Sequence, residues 1–211
     1  PAQTQPLLMN GEPWMETVRK IGKTDKHMVG LFMTQPHESD FADPDDYLEI
    51  GTVARMHHPM KQEGKIQFIA EGMQRARIVR WISETPPYRV EVEYLKQTSP
   101  GKKSETKAYA MAIINTLREL IPLNPLYGEE LRFFLDRFSP NEPSALTDFA
   151  ASLTTATPEE LQKVLETLNI RRRMQQVLQL LKKDLEVAKL QNKIRDNVED
   201  KMDEQQRRFF L

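Results

Sequence analysis

The chain has 211 residues, 39% of them apolar and 29% charged, with a formal net charge of −1. This composition suits a soluble, core-forming chain of one large or two small domains, and the charge balance excludes a general attraction to nucleic acid or acidic lipid. Cys is absent, which excludes a disulfide framework, a thiol nucleophile and a thiolate metal site. The absence of Cys is compatible with a reducing cytoplasm; no apolar run nears the roughly 18 residues of a membrane helix, and no signal peptide opens the chain. Pro1 stands where Met would, which reads as a truncated or processed start.

In chain order, Pro6-Leu7-Leu8-Met9 reads as a short strand ended by Asn10-Gly11. Glu12 to Ile21 has helical spacing in Trp14, Val18 and Ile21, with Pro13 tolerated in the first turn. Met28 to Met33 is a continuous apolar run, as expected of a strand buried on both faces. Residues 35–46 form a polar loop. Tyr47 to Met56 reads as a strand, and His57 to Gly64 as a connecting turn. Lys65 to Glu71 and Met73 to Ile82 are two further strands with a bulge or bend at Gly72. Tyr88 to Tyr94 alternates, with Tyr88, Val90, Val92 and Tyr94 inward. So many short strands with one helix suggest a small closed or nearly closed barrel.

Composition shifts at Gln97–Lys103, and helical patterns follow over Ser104–Ile121, Tyr127–Phe138, Pro143–Leu153 and Pro158–Leu168. Thr157-Pro158-Glu159-Glu160 is a helix-start signature. From Ile170 to Leu211 there is no Gly or Pro. Ile170, Met174, Val177, Leu181, Leu185 and Ala188 form one stripe, which resumes at Leu190, Ile194, Val198 and Met202. Such a helix spans roughly 60 Å, too long to bury its whole stripe on its own small domain. It is expected to project and to pack through Leu185, Leu190, Ile194, Val198 and Met202 on another chain or domain. The ending on Phe209-Phe210-Leu211 reads as a cut inside a longer protein.

Residues that could carry chemistry do not assemble a motif. His57 and His58 are adjacent, so on a strand they point to opposite faces, and no HExxH pair is present. Gly101-Lys102-Lys103-Ser104 lacks the earlier Gly and the Ser or Thr directly after the Gly-Lys pair that a phosphate-binding loop requires. The acidic loop around Asp43, Asp45 and Asp46 lacks the Gly turn of a calcium loop. There is no GxSxG element or SxxK pair. Arg75, Arg77, Arg80 and Arg89 lie on neighbouring strands, but Glu71, Glu84, Glu91 and Glu93 accompany them, so cross-strand pairing is the expected use. Met56 and Met60 flank the expected turn and are candidates for an exposed apolar patch.

Leu48-Glu-Ile50-Gly51-Thr-Val-Ala54-Arg-Met56, followed by Glu71-Gly72-Met-Gln-Arg75-Ala-Arg77-Ile78, resembles the paired strand motifs of the Lon protease N-terminal domain. Pro1 and Pro6 match spaced prolines just after that domain's first strand. Glu142-Pro-Ser-Ala145-Leu-Thr-Asp148-Phe-Ala150 is similar to a helix of the family, as is Glu160-Leu-Gln-Lys-Val-Leu-Glu166. Glu186 to Arg195, with Gln206 to Leu211, resembles the helix leading into the ATPase module. Arg171-Arg172-Arg173 departs from a Glu-Arg-Leu pattern.

The resemblance implies an α+β chain: a PUA-like β-barrel over 1–97, a linker over 98–103, a helical bundle over 104–168, and a long coiled-coil-like helix over 169–211. It implies the non-catalytic, substrate-recognising region of an ATP-dependent Ser–Lys protease, hexameric in the parent, whose ATP and Mg sites lie outside these residues. No cofactor or metal is expected within them. Unfolded or damaged proteins are the expected partners, with Met56, Met60, Pro6 and Met9 as contact residues and the long helix as a self-association element. No membrane contact is expected, and nucleic acid is disfavoured. A PUA-like nucleic-acid-binding module and a structural oligomerisation arm are the competing readings.

Overall fold

The computed structural model describes residues 1, 3–36, 41–99, 102–124, 135 and 142–209, the side chains of 13, 200 and 203–209 excepted. In chain order the elements are β1 (Thr4–Asn10), α1 (Gly11–Gly22), β2 (Met28–Leu31), β3 (Ile50–Gln62), β4 (Lys65–Ser83), β5 (Arg89–Tyr94), α2 (Lys103–Leu120), α3 (Pro143–Ser152), α4 (Pro158–Glu166) and α5 (Ile170–Phe209). The expected helix over Tyr127–Phe138 lies outside the described residues, apart from a buried, helical Leu135. The chain divides into two units: Pro1–Thr98 with Pro158–Asn169, and Ser99–Thr157 with Ile170–Leu211.

The first unit is one antiparallel sheet ordered β1-β4-β3-β2, with β5 also on β4. The long β4 takes β1 along Lys65–Glu71 and β5 along Ala76–Ser83. Gly72 sits at the expected bulge, where the register on β3 steps from Val53↔Gln74 to Ala54↔Gly72. The strand therefore continues through Gly72, and the two expected strands are one. Period-2 alternation places Leu7, Met9, Ala54, Met56, Ile66, Phe68 and Ala70 on one face. Trp14, Met15, Val18 and Ile21 of α1 pack against that face. Fully burying side chains such as Met56 and Phe68 contributes about 1.5–3 kcal/mol each.

The expected turn at His57–Gly64 is corrected. β3 runs on to Gln62, and the connection is only Glu63-Gly64, both at positive φ (49° and 76°) between the pair Gln62↔Lys65. Two positive-φ residues suit the twist of a tight hairpin. Pro59 fits in the strand because the ladder is irregular between His57 and Met60, where His58 has φ 48°. The expected double burial of β2 is also corrected. It pairs only with β3, and its residues are at most half-buried. Among the described residues no ladder joins β2 to β1 or β5. Tyr94 is half exposed rather than inward.

α4 belongs to this unit, not to the helical bundle where the sequence places it. The buried Arg75 side chain donates from Nε to Leu165 O at 2.8 Å, and Gln162 Nε2 donates to Ile50 O at 2.9 Å. Thr98 N donates to Leu168 O at 3.1 Å, beside a parallel bridge from Thr98 to Asn169. Directional polar bonds fasten the helix to the sheet, and Val164 is its one buried apolar residue.

The second unit packs α2 and α3 on the first half of α5. Ala110, Ile113, Leu117, Leu146, Ala150, Ile170, Met174, Val177 and Leu181 form its interior. Arg173 is fully buried: its Nε lies 3.4 Å from Asp148 Oδ1, and Nη2 donates to Ser144 Oγ at 2.8 Å. Leu185 closes the covered part of the stripe.

Candidate functional site

Strand pairing sorts the four expected contact residues onto opposite faces of the sheet. Directly paired residues share a face, so Pro6↔Ile69↔His57 and Leu8↔Gln67↔Met60 form two cross-strand rows on the outer face. Leu8 is 64% exposed and Met60 59% exposed. Pro6 and Ile69 complete an exposed apolar patch with them. Single exposed apolar residues need no explanation, but a contiguous set does. His57 lies within the patch, with Nε2 2.8 Å from Glu71 Oε2. Met9 and Met56 point the other way. Met56 is 2% exposed, so its place at the surface is corrected: β3 continues past it and parity sends it to the core. The signal that the sequence reading missed is the parity of Leu8 and Ile69 with Pro6 and Met60.

The inner face opens into a cleft of about 990 Å³, walled by α1, β2, the far end of β4 and the start of β5. Four of its aromatic residues touch in a cluster, with Tyr88 at 5.9 Å from Trp14, 5.7 Å from Tyr47 and 5.7 Å from Trp81 between ring centres. Tyr88 donates its hydroxyl to Ala42 O at 2.7 Å. Burial above all, then the neighbouring Tyr88 and the charge of Asp46, pushes the Tyr47 hydroxyl up to about 12. Burial and the charge of Asp43 raise that of Tyr88 as well.

The arginines expected to pair across strands do so in part. Arg80 Nη2 meets Glu91 Oε2 at 2.8 Å, and Arg77 reaches Glu93 at 3.9 Å. Arg75 is buried under α4. Together these remove most of a basic face that could attract a phosphate backbone. Among the described residues no group of three His, Asp or Glu side chains could hold a metal ion. No described helix is long and apolar enough to cross a membrane. In the second unit, Leu190, Ile194, Val198 and Met202 of α5 are all more than half exposed, in line with the expected uncovered stripe, whereas Leu185 is buried.

A sequence profile described as the ATP-dependent protease La (LON) substrate-binding domain matches residues 1–183. Lon protease 2 of Hydrogenovibrio crunogenus is 43% identical over 211 residues, covering all of this chain and 24% of that protein. The Lon protease of Magnetococcus marinus is 39% identical over 217 residues, again covering all of this chain and 27% of that protein. The chain thus spans about a quarter of the length of the curated relatives it matches. The solved N-terminal domain of Mycobacterium avium complex Lon protease has the same fold at a TM-score of 0.67 and 18% identity, covering 86% of this chain and 91% of that one. A Lon N-terminal domain protein from Xanthomonas campestris follows at 0.54 and 16% identity, with 84% and 89% covered. With an α+β architecture, a long C-terminal helix and a profile match over 183 of its 211 residues, the chain belongs to the family of Lon substrate-binding domains.

Proposed function

We propose that this chain recognises and positions protein substrates for an ATP-dependent Lon-type serine protease of the cytoplasm, one that degrades misfolded and regulatory proteins. On this reading the ATP, Mg and Ser–Lys chemistry belongs to other parts of that protein. The observation that carries it is the outer-face patch, where Pro6, Leu8, Met60 and Ile69 offer apolar surface on a polar-edged sheet. Such a patch suits apolar side chains that a folded protein hides and an unfolded one exposes. Met60 adapts its shape to varied side chains. Contact with one copy is weak; a hexameric ring gains by effective concentration. The uncovered half of α5 supplies an apolar seam for self-association.

The test measures binding of a fluorescently labelled, reduced and alkylated protein to the full 211-residue chain. Leu8→Glu with Met60→Glu should weaken binding roughly tenfold, about 1.4 kcal/mol. Val79→Glu, an exposed apolar position outside the two rows, should leave it unchanged. Equal binding by all three chains would remove the outer face from the mechanism.

A further inference from the structure

The uncovered half of α5 carries a charge pattern that works against its own helix. Residues 189–195 hold three cations, Lys189, Lys193 and Arg195, and no acidic residue. Residues 196–204 hold five acidic residues and one cation, Lys201. Side chains four apart on a helix are neighbours, and like charges there are destabilising. Lys189 with Lys193 and Asp196 with Asp200 have that spacing, and two further acidic pairs follow before residue 205. Arg195 with Glu199 is the one opposite-charged pair so spaced in the stretch. Interleaved signs would serve a solvated helix better. Lys189 meets Glu119 at 3.0 Å, and Arg195 Nη2 donates to the neutral Asn192 Oδ1 at 2.7 Å. The apolar seam has a symmetry that matches the charges. Leu190, Ile194, Val198 and Met202, each more than half exposed, are spaced evenly about residue 196. At about 100° per residue, Asp196 falls on the side of the helix opposite the middle of that seam.

We propose that the uncovered half of α5 binds a second copy of this chain in antiparallel orientation, about a two-fold axis near residue 196. Leu190 of each copy then lies level with Met202 of the other, and Ile194 with Val198. The contact is isologous, one surface complementing itself. The cationic stretch of each copy runs along the acidic stretch of the other, and such complementarity sets orientation and register. Arg195 and Glu199, four apart, share one flank of the helix. An antiparallel pair brings like flanks together, so Arg195 of each copy meets Glu199 of the other. The two copies of Asp196 point away from the contact. A parallel pair in register sets cations on cations and acids on acids, and one shifted far enough to avoid this covers only part of the seam. The proposal rests on the self-association read from this face and adds its orientation and register.

The chain has no Cys, so an introduced thiol is the only one present. Leu190→Cys and Met202→Cys alter exposed positions and leave the core of the unit in place. The two variants are made separately, mixed, and treated with a short bismaleimide. Cross-links between the two variants should exceed same-site cross-links, because in the antiparallel pair identical sites lie roughly 18 Å apart along the axis. Sedimentation velocity of the unsubstituted 211-residue chain gives the dimer affinity. Raising NaCl from about 50 to about 500 mM should weaken it roughly fivefold, since two exposed ion pairs are screened. Glu199→Arg should weaken it at least as much, and Arg195→Glu added to that variant should restore it. Same-site cross-links in excess, or a dimer that salt leaves unchanged or tightens, would overturn the orientation while self-association stands. A chain that stays monomeric and gives no cross-link would overturn both.

Discussion

The buried ion pair of the second unit gives the sharpest test of how the long helix is anchored. Arg173 has no exposed side-chain surface, Asp148 has 6%, and the charged atoms are 3.4 Å apart. At an effective dielectric constant near 20, this separation corresponds to about 5 kcal/mol of gross attraction. Desolvating both ions offsets most of it, so the net contribution of the intact pair is small. The cost of breaking it is not. Asp148→Asn keeps the shape and removes the carboxylate that faces the fully buried guanidinium. That should destabilise by about 3–5 kcal/mol, which lowers the unfolding midpoint by roughly 6–20 °C at 2–4 °C per kcal/mol. Arg173→Met with Asp148→Leu removes both charges and should recover most of the loss. The assay is thermal unfolding followed by circular dichroism at 222 nm, with amide exchange in α3 and the first turns of α5 as the local readout. If Asp148→Asn costs less than about 1 kcal/mol, or if the double variant is as unstable as the single one, the pair does not anchor the helix as argued.

The strand register separates two methionines that look alike in sequence. Met56→Asp places an unpaired carboxylate in the core and should unfold the first unit at a cost above about 4 kcal/mol, whereas Met60→Asp should stay within about 0.5 kcal/mol by urea denaturation. The raised Tyr47 ionisation predicts a pH dependence with a defined sign. The unfolded chain ionises this hydroxyl near 10 and the folded chain near 12, so the stabilisation is fully present below pH 10 and is lost as pH rises toward 12. Tyrosinate absorbance should show late titration that Tyr47→Phe reduces, and early titration of all five tyrosines would contradict it. At α4, Gln162→Ala should cost about 1–3 kcal/mol by leaving Ile50 O without that donor. The effect should appear as faster amide exchange across 158–169, and unchanged exchange there would show that the helix is held by other means.

The parts of the fold legible in the sequence are those that depend on local period. Spacing of three and four marks α1, α2 and α5, and Gly72 marks the bulge because a residue without a Cβ suits the bent strand. The hairpin lies later in the chain than local signals place it, for a physical reason. His57-His58-Pro59 looks like a strand end, since Pro cannot donate to a ladder, but the irregular pairing between His57 and Met60 accommodates it and the strand resumes. Arg173 shows a different limit. It follows Ile170 by three and precedes Val177 by four, so period alone places it on the buried face, yet its charge argues for solvent. The partner that decides the matter, Asp148, lies on another helix, and nothing local connects the two. The outer patch was half legible, through Pro6 and Met60. Its remaining members became visible only when pairing across β4 aligned Leu8 with Met60 and Pro6 with Ile69.

The case of α5 shows why a continuous seam need not be continuously covered. A 40-residue helix is about 60 Å long, and the 18-residue α2 only about 27 Å. The described partners within the unit therefore run out before the helix does. Among the described residues, Leu185 is buried in the core and Lys189 Nζ pairs with Glu119 Oε2 at 3.0 Å. Beyond that point Leu190, Ile194, Val198 and Met202 keep a spacing of four, and each is more than half exposed. A helix that only had to stay solvated would gain from polar residues there. The seam persists past the last of its described partners, and contact with another helix is the use proposed for it. This supports assigning the first half of α5 to the stability of its own unit and the second half to assembly.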